Sequence, residues 1–253
     1  VEMAQFAISE HKIKQVSTYL ASQFIYSGNA HSSDKPIHKI ANLTGYPVKS
    51  VYRYVKWLIN RNWWGKSPQG RYYFRSFKRV HNMEGWNYGR AVIMYQKDLK
   101  KIKAFMAGAV LASLAKTERG ERKERKSPGS KPPASPISIS VLADTLQICD
   151  STAYKLRKLA DKCNYIKNSP NLIEITNWTP DDLINLKKQD LKYLPVKLFG
   201  YEDTKDVSIN CIRYEEGKLK LQAPNHVYPL VELTNRRGLL NVGMYGDTNV
   251  STK

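Results

Sequence analysis

Lys49, Arg53, Lys56 and Asn60 follow one another at spacings of four, three and four residues, which on a helix puts all four on one face. An arginine on such a face can pair bidentately with the edge of a guanine. Lysines beside it can read a base or hold a phosphate. Ser50 and Tyr52 lie in the same stretch, with Tyr52 at the border where a ring either packs inward or reaches outward. A little further on, Lys66, Gln69 and Arg71 flank Ser67-Pro68-Gln69-Gly70, a turn signal between two aromatic runs. Residues of these types are suited to a polyanion, with Arg53 the best candidate for a base contact.

Catalytic chemistry has no comparable set. The five histidines are scattered, no His-hydrophobe-His pair or HExxH occurs, and acidic residues near the long helices do not cluster as a metal nuclease requires. Gly65-Lys66-Ser67 ends like a phosphate loop, but Asn60 stands where its first glycine should be. Asp181-Asp182 reads as helix N-terminal charge. No catalytic residue, metal ligand or cofactor is assigned, and an enzyme is not expected.

Of 253 residues, 42% are hydrophobic and 25% charged, which excludes a wholly disordered chain. The net charge is +19, and +18 of it lies between residues 35 and 135. Residues 35–83 carry eleven basic side chains and no acidic one. An ordinary solvated surface mixes signs, so this run reads as an electrostatic footprint for nucleic acid. Thirteen of the 27 aromatic residues fall between Tyr46 and Tyr95. Most are assigned to a core, although aromatics among bases can also stack on single strands. The apolar stretch over residues 102–115 is too short to span a bilayer and reads as a buried helix. No charged-then-apolar leader follows Val1, and no membrane partner is expected. Cys149, Cys163 and Cys211 form no CxxC pair. They read as small buried hydrophobes in a reducing compartment, and a cytoplasmic, nucleoid-associated location fits.

The elements that must carry these residues follow from periodicity. One helix is expected over 4–27, a polar loop over 29–35, a short helix from Pro36 to about Gly45, a longer one over 47–62, and a hairpin over 63–75. Shifted by 102 residues, the chain matches itself. Ile37, Ile40 and Ala41 meet Ile139, Leu142 and Ala143; Ser50-Val51-Tyr52-Arg53 meets Thr152-Ala153-Tyr154-Lys155. Lys56 meets Lys158, Asn62-Trp63-Trp64 meets Asn164-Tyr165-Ile166, and Ser67-Pro68 meets Ser169-Pro170. A helix from Asp98 to about Lys116 would open the second copy. Gln147 stands where Gly45 does, so that turn is expected to be made differently, and the second hairpin is expected to be shorter, with Ile173-Glu174-Ile175 as its return strand.

The order helix, helix, turn, helix, hairpin, with Ile40-Ala41, Gly45 and Ser50-Val51-Tyr52-Arg53 at the turn, resembles a winged helix-turn-helix. Two such units in one chain look similar in architecture to plasmid and phage replication initiators, and to some transcription regulators. The fold class expected is α+β: two tandem winged-helix domains and a small C-terminal β-containing extension. The domains are 4–80, a connector 81–96, 97–176 with a basic Pro/Ser-rich insertion at 116–135, and the extension 177–253. The resemblance implies a sequence-specific double-stranded DNA binder, a replication initiator or replisome organiser of a mobile element, or a regulator. Its partners would be a second copy or higher oligomer on repeated sites, and replication or transcription proteins. Ser151, Tyr154, Lys155 and Lys158 are the corresponding candidates of the second copy, but Asp144, Asp150 and Asp161 nearly cancel its charge. That copy reads a second half-site or serves as a protein contact. An RNA or single-strand binder, and an interaction protein with an acidic partner, remain the alternatives.

Overall fold

The residues expected to form one helix over 4–27 form two. Helix α1 (Glu2–Ser9) ends with His11 in the left-handed region, φ 55°. The Lys12 N–H donates to Ala7 O at 2.8 Å and the His11 N–H to Ile8 O at 3.2 Å, the bond pair that closes a helix around a left-handed residue. Helix α2 (Ile13–Tyr26) then starts afresh. The reversal lets Met3, Ala7 and Ile8 pack in one direction and Val16, Tyr19 and Leu20 in another. The computed structural model describes residues 1–26, 36–86, 91–121, 135–187 and 192–234. The polar loop expected at 29–35 lies outside them.

Helix α3 (Pro36–Thr44) buries Ile37, Ile40 and Ala41, and helix α4 (Val48–Asn60) buries Val51, Val55 and Leu58. Between them Gly45 has φ 73°, and its N–H closes α3 on Ala41 O at 2.8 Å. The hairpin is β1 (Trp64–Lys66) and β2 (Tyr72–Phe74), antiparallel with Trp64 opposite Phe74. A Cβ on Gly65 would fall 1.9 Å from the Tyr73 ring, so only glycine lets that ring cross the strand. Helix α5 (Phe77–Met83), capped by Ser76, returns Phe77 and Val80 to the core.

In the second half a 3₁₀ turn (Gln96–Lys101) leads into α6 (Ile102–Glu121), whose residues 104–112 are all buried. Strand β4 (Ser135–Pro136), α7 (Ile139–Leu146) and α8 (Asp150–Lys162) follow. Residues 122–134, most of the expected insertion, are outside the described set. Gln147 departs from expectation: it takes the same left-handed conformation as Gly45, φ 52°. What differs is the bonding. The Ile148 N–H donates to Ala143 O and the Gln147 N–H to Asp144 O, which holds a side-chain-bearing residue in a region that glycine enters freely. The shared Asn-aromatic pair has the same origin. Asn62 (φ 63°) and Asn164 (φ 61°) are the left-handed residues closing α4 and α8, each with matching backbone bonds.

The second hairpin is not made as expected. Ser169-Pro170 is no turn; β5 (Ile166–Glu174) runs through it with a local register shift. Its partner is β9 (Lys218–Pro229), which also pairs β4. Val227 and Ile166 on the inward face are buried, and this apolar match selects a partner about fifty residues away over a local return. Between β5 and β9 the chain forms a separate lobe of α9 (Pro180–Lys187), β6 (Tyr193–Lys197), β7 (Thr204–Ser208) and β8 (Ile212–Glu215). The lobe has its own core of Ile175, Leu194, Val196, Leu198, Ile209, Ile212 and Leu219. Strand β8 returns to β9 through Glu216-Gly217, both at positive φ, in a two-residue turn. Last, β10 (Leu233–Thr234) pairs β3 (Ala91–Val92). Residues expected as an extension beyond 176 are thus bonded into the second half.

The result is mixed α+β with small sheets. One continuous core runs from Met3 to Val227 and takes in both halves. Its tightest helix contact is at Gly108, where a Cβ would lie 2.5 Å from the Tyr165 Cβ. Gly108→Ala should therefore destabilise by about 1–3 kcal/mol through overpacking. Gln147→Gly should move stability the other way, by up to about 1 kcal/mol, because the left-handed strain is relieved. Thermal unfolding of the two variants checks both signs; equal and negligible shifts would contradict the packing and the strain alike.

Candidate nucleic-acid interface

Burial of Val51, Val55 and Leu58 fixes which side of α4 faces out. Lys49, Arg53, Lys56 and Asn60 are all exposed on that side, and Tyr52 is 52% exposed, so its ring is not part of the core. Ser50 is half-buried, and its Oγ accepts from Arg53 Nη2 at 3.2 Å, which steadies the guanidinium along the helix. The first turn of α4 holds no acidic residue, so the positive end of the helix dipole adds to its side-chain charge.

The hairpin continues the basic surface. The Ser67 N–H donates to Arg71 O at 2.8 Å, and Gly70, φ 80°, completes a loop with Pro68 and Gln69 at its tip. Lys66, Gln69 and Arg71 are exposed around that tip, and Lys66 Nζ lies 5.7 Å from the centre of the Tyr72 ring across the strands. None of Lys49, Arg53, Lys56, Lys66 and Arg71 forms an ion pair with a described residue.

Arg61 is different. Its Nε and Nη2 hold the Glu84 carboxylate at 2.8 and 2.6 Å, and the Trp63 indole N–H donates to the same carboxylate at 2.7 Å. The first acidic residue after the acid-free run thus neutralises one of its eleven bases, a pairing across 23 residues that spacing does not suggest. Arg61 also lies over the Phe6 ring, so it ties α1, α4 and the end of α5 together rather than serving an anion. Arg75 is likewise engaged, with Asn62 Oδ1 and with the Tyr73 ring.

On α8, Ser151, Tyr154, Lys155 and Lys158 are exposed, and Tyr154 is 54% exposed, matching Tyr52 at the equivalent position. The inward side is less regular than expected. Ala153 and Leu156 are buried, but Leu159 and Cys163 are only half-buried. Arg157, at the place of Val55, is buried and donates to Ile137 O at 2.7 Å, with burial lowering its pKa. Exposed Asp144 and Asp150 flank this helix, and Asp161 accepts the Asn168 N–H.

The three cysteines are not the buried hydrophobes expected. Cys149 and Cys211 are exposed and Cys163 is half-buried. Cys149 precedes α8, where its sulfur contacts the Ser151 and Thr152 hydroxyls, and those hydrogen bonds bring its pKa down to about 7. Among the described residues no cluster of three His, Cys, Asp or Glu could hold a metal, and no helix is long and apolar enough to cross a membrane.

Burial by itself would raise the Glu84 pKa, but the bonds from Arg61 and Trp63 and the Arg61 charge outweigh it, so the carboxyl sits below its ordinary range. Its stabilising effect is complete above the unfolded value, about 4.3, and is lost as pH falls through the lower folded value. Glu84→Gln should therefore lower Tm at pH 7, and the gap to the wild type should close as pH drops below about 4. A gap independent of pH would mean that Glu84 is not acting as a paired anion. No protein-family model, curated protein or solved structure matches this chain.

Proposed function

We propose that this protein binds double-stranded DNA sequence-specifically through two winged-helix modules, with the first as the main reading head. The α2–α3–α4–β1–β2 segment is the first module. The second is α6, α7 and α8 with β4, β5 and the distant β9. The observation that carries the reading is the outward face of α4: Lys49, Arg53, Lys56 and Asn60 exposed together, with the basic tip of Lys66, Gln69 and Arg71 following. A helix presented in this way enters the major groove while a hairpin tip touches the flanking backbone. The second module reads more weakly, since Asp144 and Asp150 accompany Lys155 and Lys158. With the architecture it resembles, such a protein would act at the repeated sites of a mobile element, as a replication initiator or replisome organiser. Iterated repeats beside its gene would favour that role over transcriptional regulation.

Competition among duplex, single-stranded DNA and RNA at fixed salt tests the class of ligand, and duplex should win. With about six phosphate contacts, affinity should fall roughly a thousandfold between 50 and 200 mM salt. A flat salt response, or preference for the single strand, would overturn the reading. On one duplex, Arg53→Ala should lose about 1–3 kcal/mol and relax preference at one base pair. Lys66→Ala should weaken all sequences alike and flatten the salt slope by about one unit. Lys155→Ala should cost less than either. A silent Arg53→Ala with a damaging Lys155→Ala would move the reading head to the second module.

A further inference from the structure

The lobe between β5 and β9 carries the most exposed large apolar side chain among the described residues. Phe199 is 71% exposed, at the connection between β6 and β7. The connection is held firmly. The Phe199 N–H donates to Glu174 O at 2.9 Å, the Tyr201 N–H to Leu198 O at 3.0 Å, and Gly200 between them has φ 82°. Lys205 Nζ lies 5.2 Å from the centre of the Tyr201 ring, so Tyr201 is braced while Phe199 projects. Glu202, Asp203 and Asp206 beside it are exposed and acidic, on a chain whose net charge is +19. A fixed aromatic in an acidic rim is suited to an apolar pocket in a basic surface.

The first half has such a pocket. Phe24 and Ile25 at the end of α2, Leu43 and Asn42 on α3, Lys39 and Gln96 line an open groove of about 480 Å³. Its apolar residues are only half-buried, and it lies in the half whose residues 35–83 carry eleven bases and no acid. The groove has room for a phenyl ring, and its field favours the Glu202–Asp203 flank.

We propose that the Phe199 tip of one copy docks into the α2–α3 groove of a second copy. The partner is chosen by charge complementarity, since tip and surroundings of the groove are opposite in sign. Because tip and groove are different surfaces on different cores, the contact is heterologous. It adds copies head to tail and does not close on itself as a twofold dimer would. Self-repulsion between basic copies is screened beyond about 8 Å at 0.15 M salt, so the short-range contact can form without DNA.

Two variants at exposed positions test this in the free protein. Phe199→Ser removes the tip but keeps the groove, and Asn42→Glu sets a like charge against the acidic flank but keeps the tip. By sedimentation velocity at 0.15 M salt and up to about 100 µM, the wild type should show dimers and higher species growing with concentration. Each variant alone should associate roughly tenfold or more weakly. An equimolar mixture should stop at a dimer, because one intact tip meets one intact groove and neither end can extend. A wild type that stays monomeric, a closed dimer that grows no further, or a mixture that forms no dimer would each overturn the proposal. None of these outcomes depends on DNA binding, which the competition experiment judges separately.

Discussion

A helix buried on every side has to be surrounded, and α6 imposes that requirement on the whole chain. From Ala104 to Ala112 no position faces water. An ordinary surface helix needs cover along one stripe only. Here α1 and α2 supply it from the first half, and α8, β4 and β9 from the second. Small side chains make the close approach practicable, with Gly108 taking the Tyr165 side chain at a distance no Cβ would allow. Polar ends are satisfied on the same helix. Ser135 donates to Ala115 O, and the buried Asp98 accepts from Tyr165 at the opposite end. The orientation of the two basic helices, α4 and α8, is a by-product of packing around this rod.

Much of the local structure was legible in the sequence because its causes are local. The alternation of Val51, Val55 and Leu58 with Lys49, Arg53 and Lys56 specifies both a helix and its outward face. The 102-residue repeat foretold two similar helix pairs, and its Asn-aromatic element turns out to be a pair of left-handed helix ends. What escaped had causes elsewhere. No residue near His11 signals a break; the turn forms because the apolar stripes on either side need different directions. Gln147 is a poor left-handed residue by type, and only the bonds around Ile148 retain it there. The Glu84 partner of Arg61 and the β9 partner of β5 are long-range choices. The candidate DNA-contacting residues were identifiable as exposed bases, but which bases were already engaged was not.

The two halves diverge where the repeat is weakest. At the position of buried Val55 the second half has buried Arg157, with a carbonyl as its hydrogen-bond partner. Where the first half turns back at Pro68-Gln69-Gly70, the second runs straight through Pro170 and admits a lobe with its own core. Loss of the basic tip and gain of an acidic, aromatic one are two aspects of that change. A duplicated frame has kept its packing while one copy exchanged a charged loop for a folded insert.

The long strand β9 also sets the order in which a nascent chain can fold. The first hairpin closes across a few residues, whereas Ser135 waits for Val227 and Val92 for Leu233. Contacts of such sequence separation form late, after the loop-closure entropy has been met. At synthesis rates of about 5–20 residues per second, α6 and the inward face of β5 spend several seconds without their last strand. During that interval the helices of the first half are the only cover already made. The early-folding basic half would then act as an internal chaperone for the rod on which the later half is built.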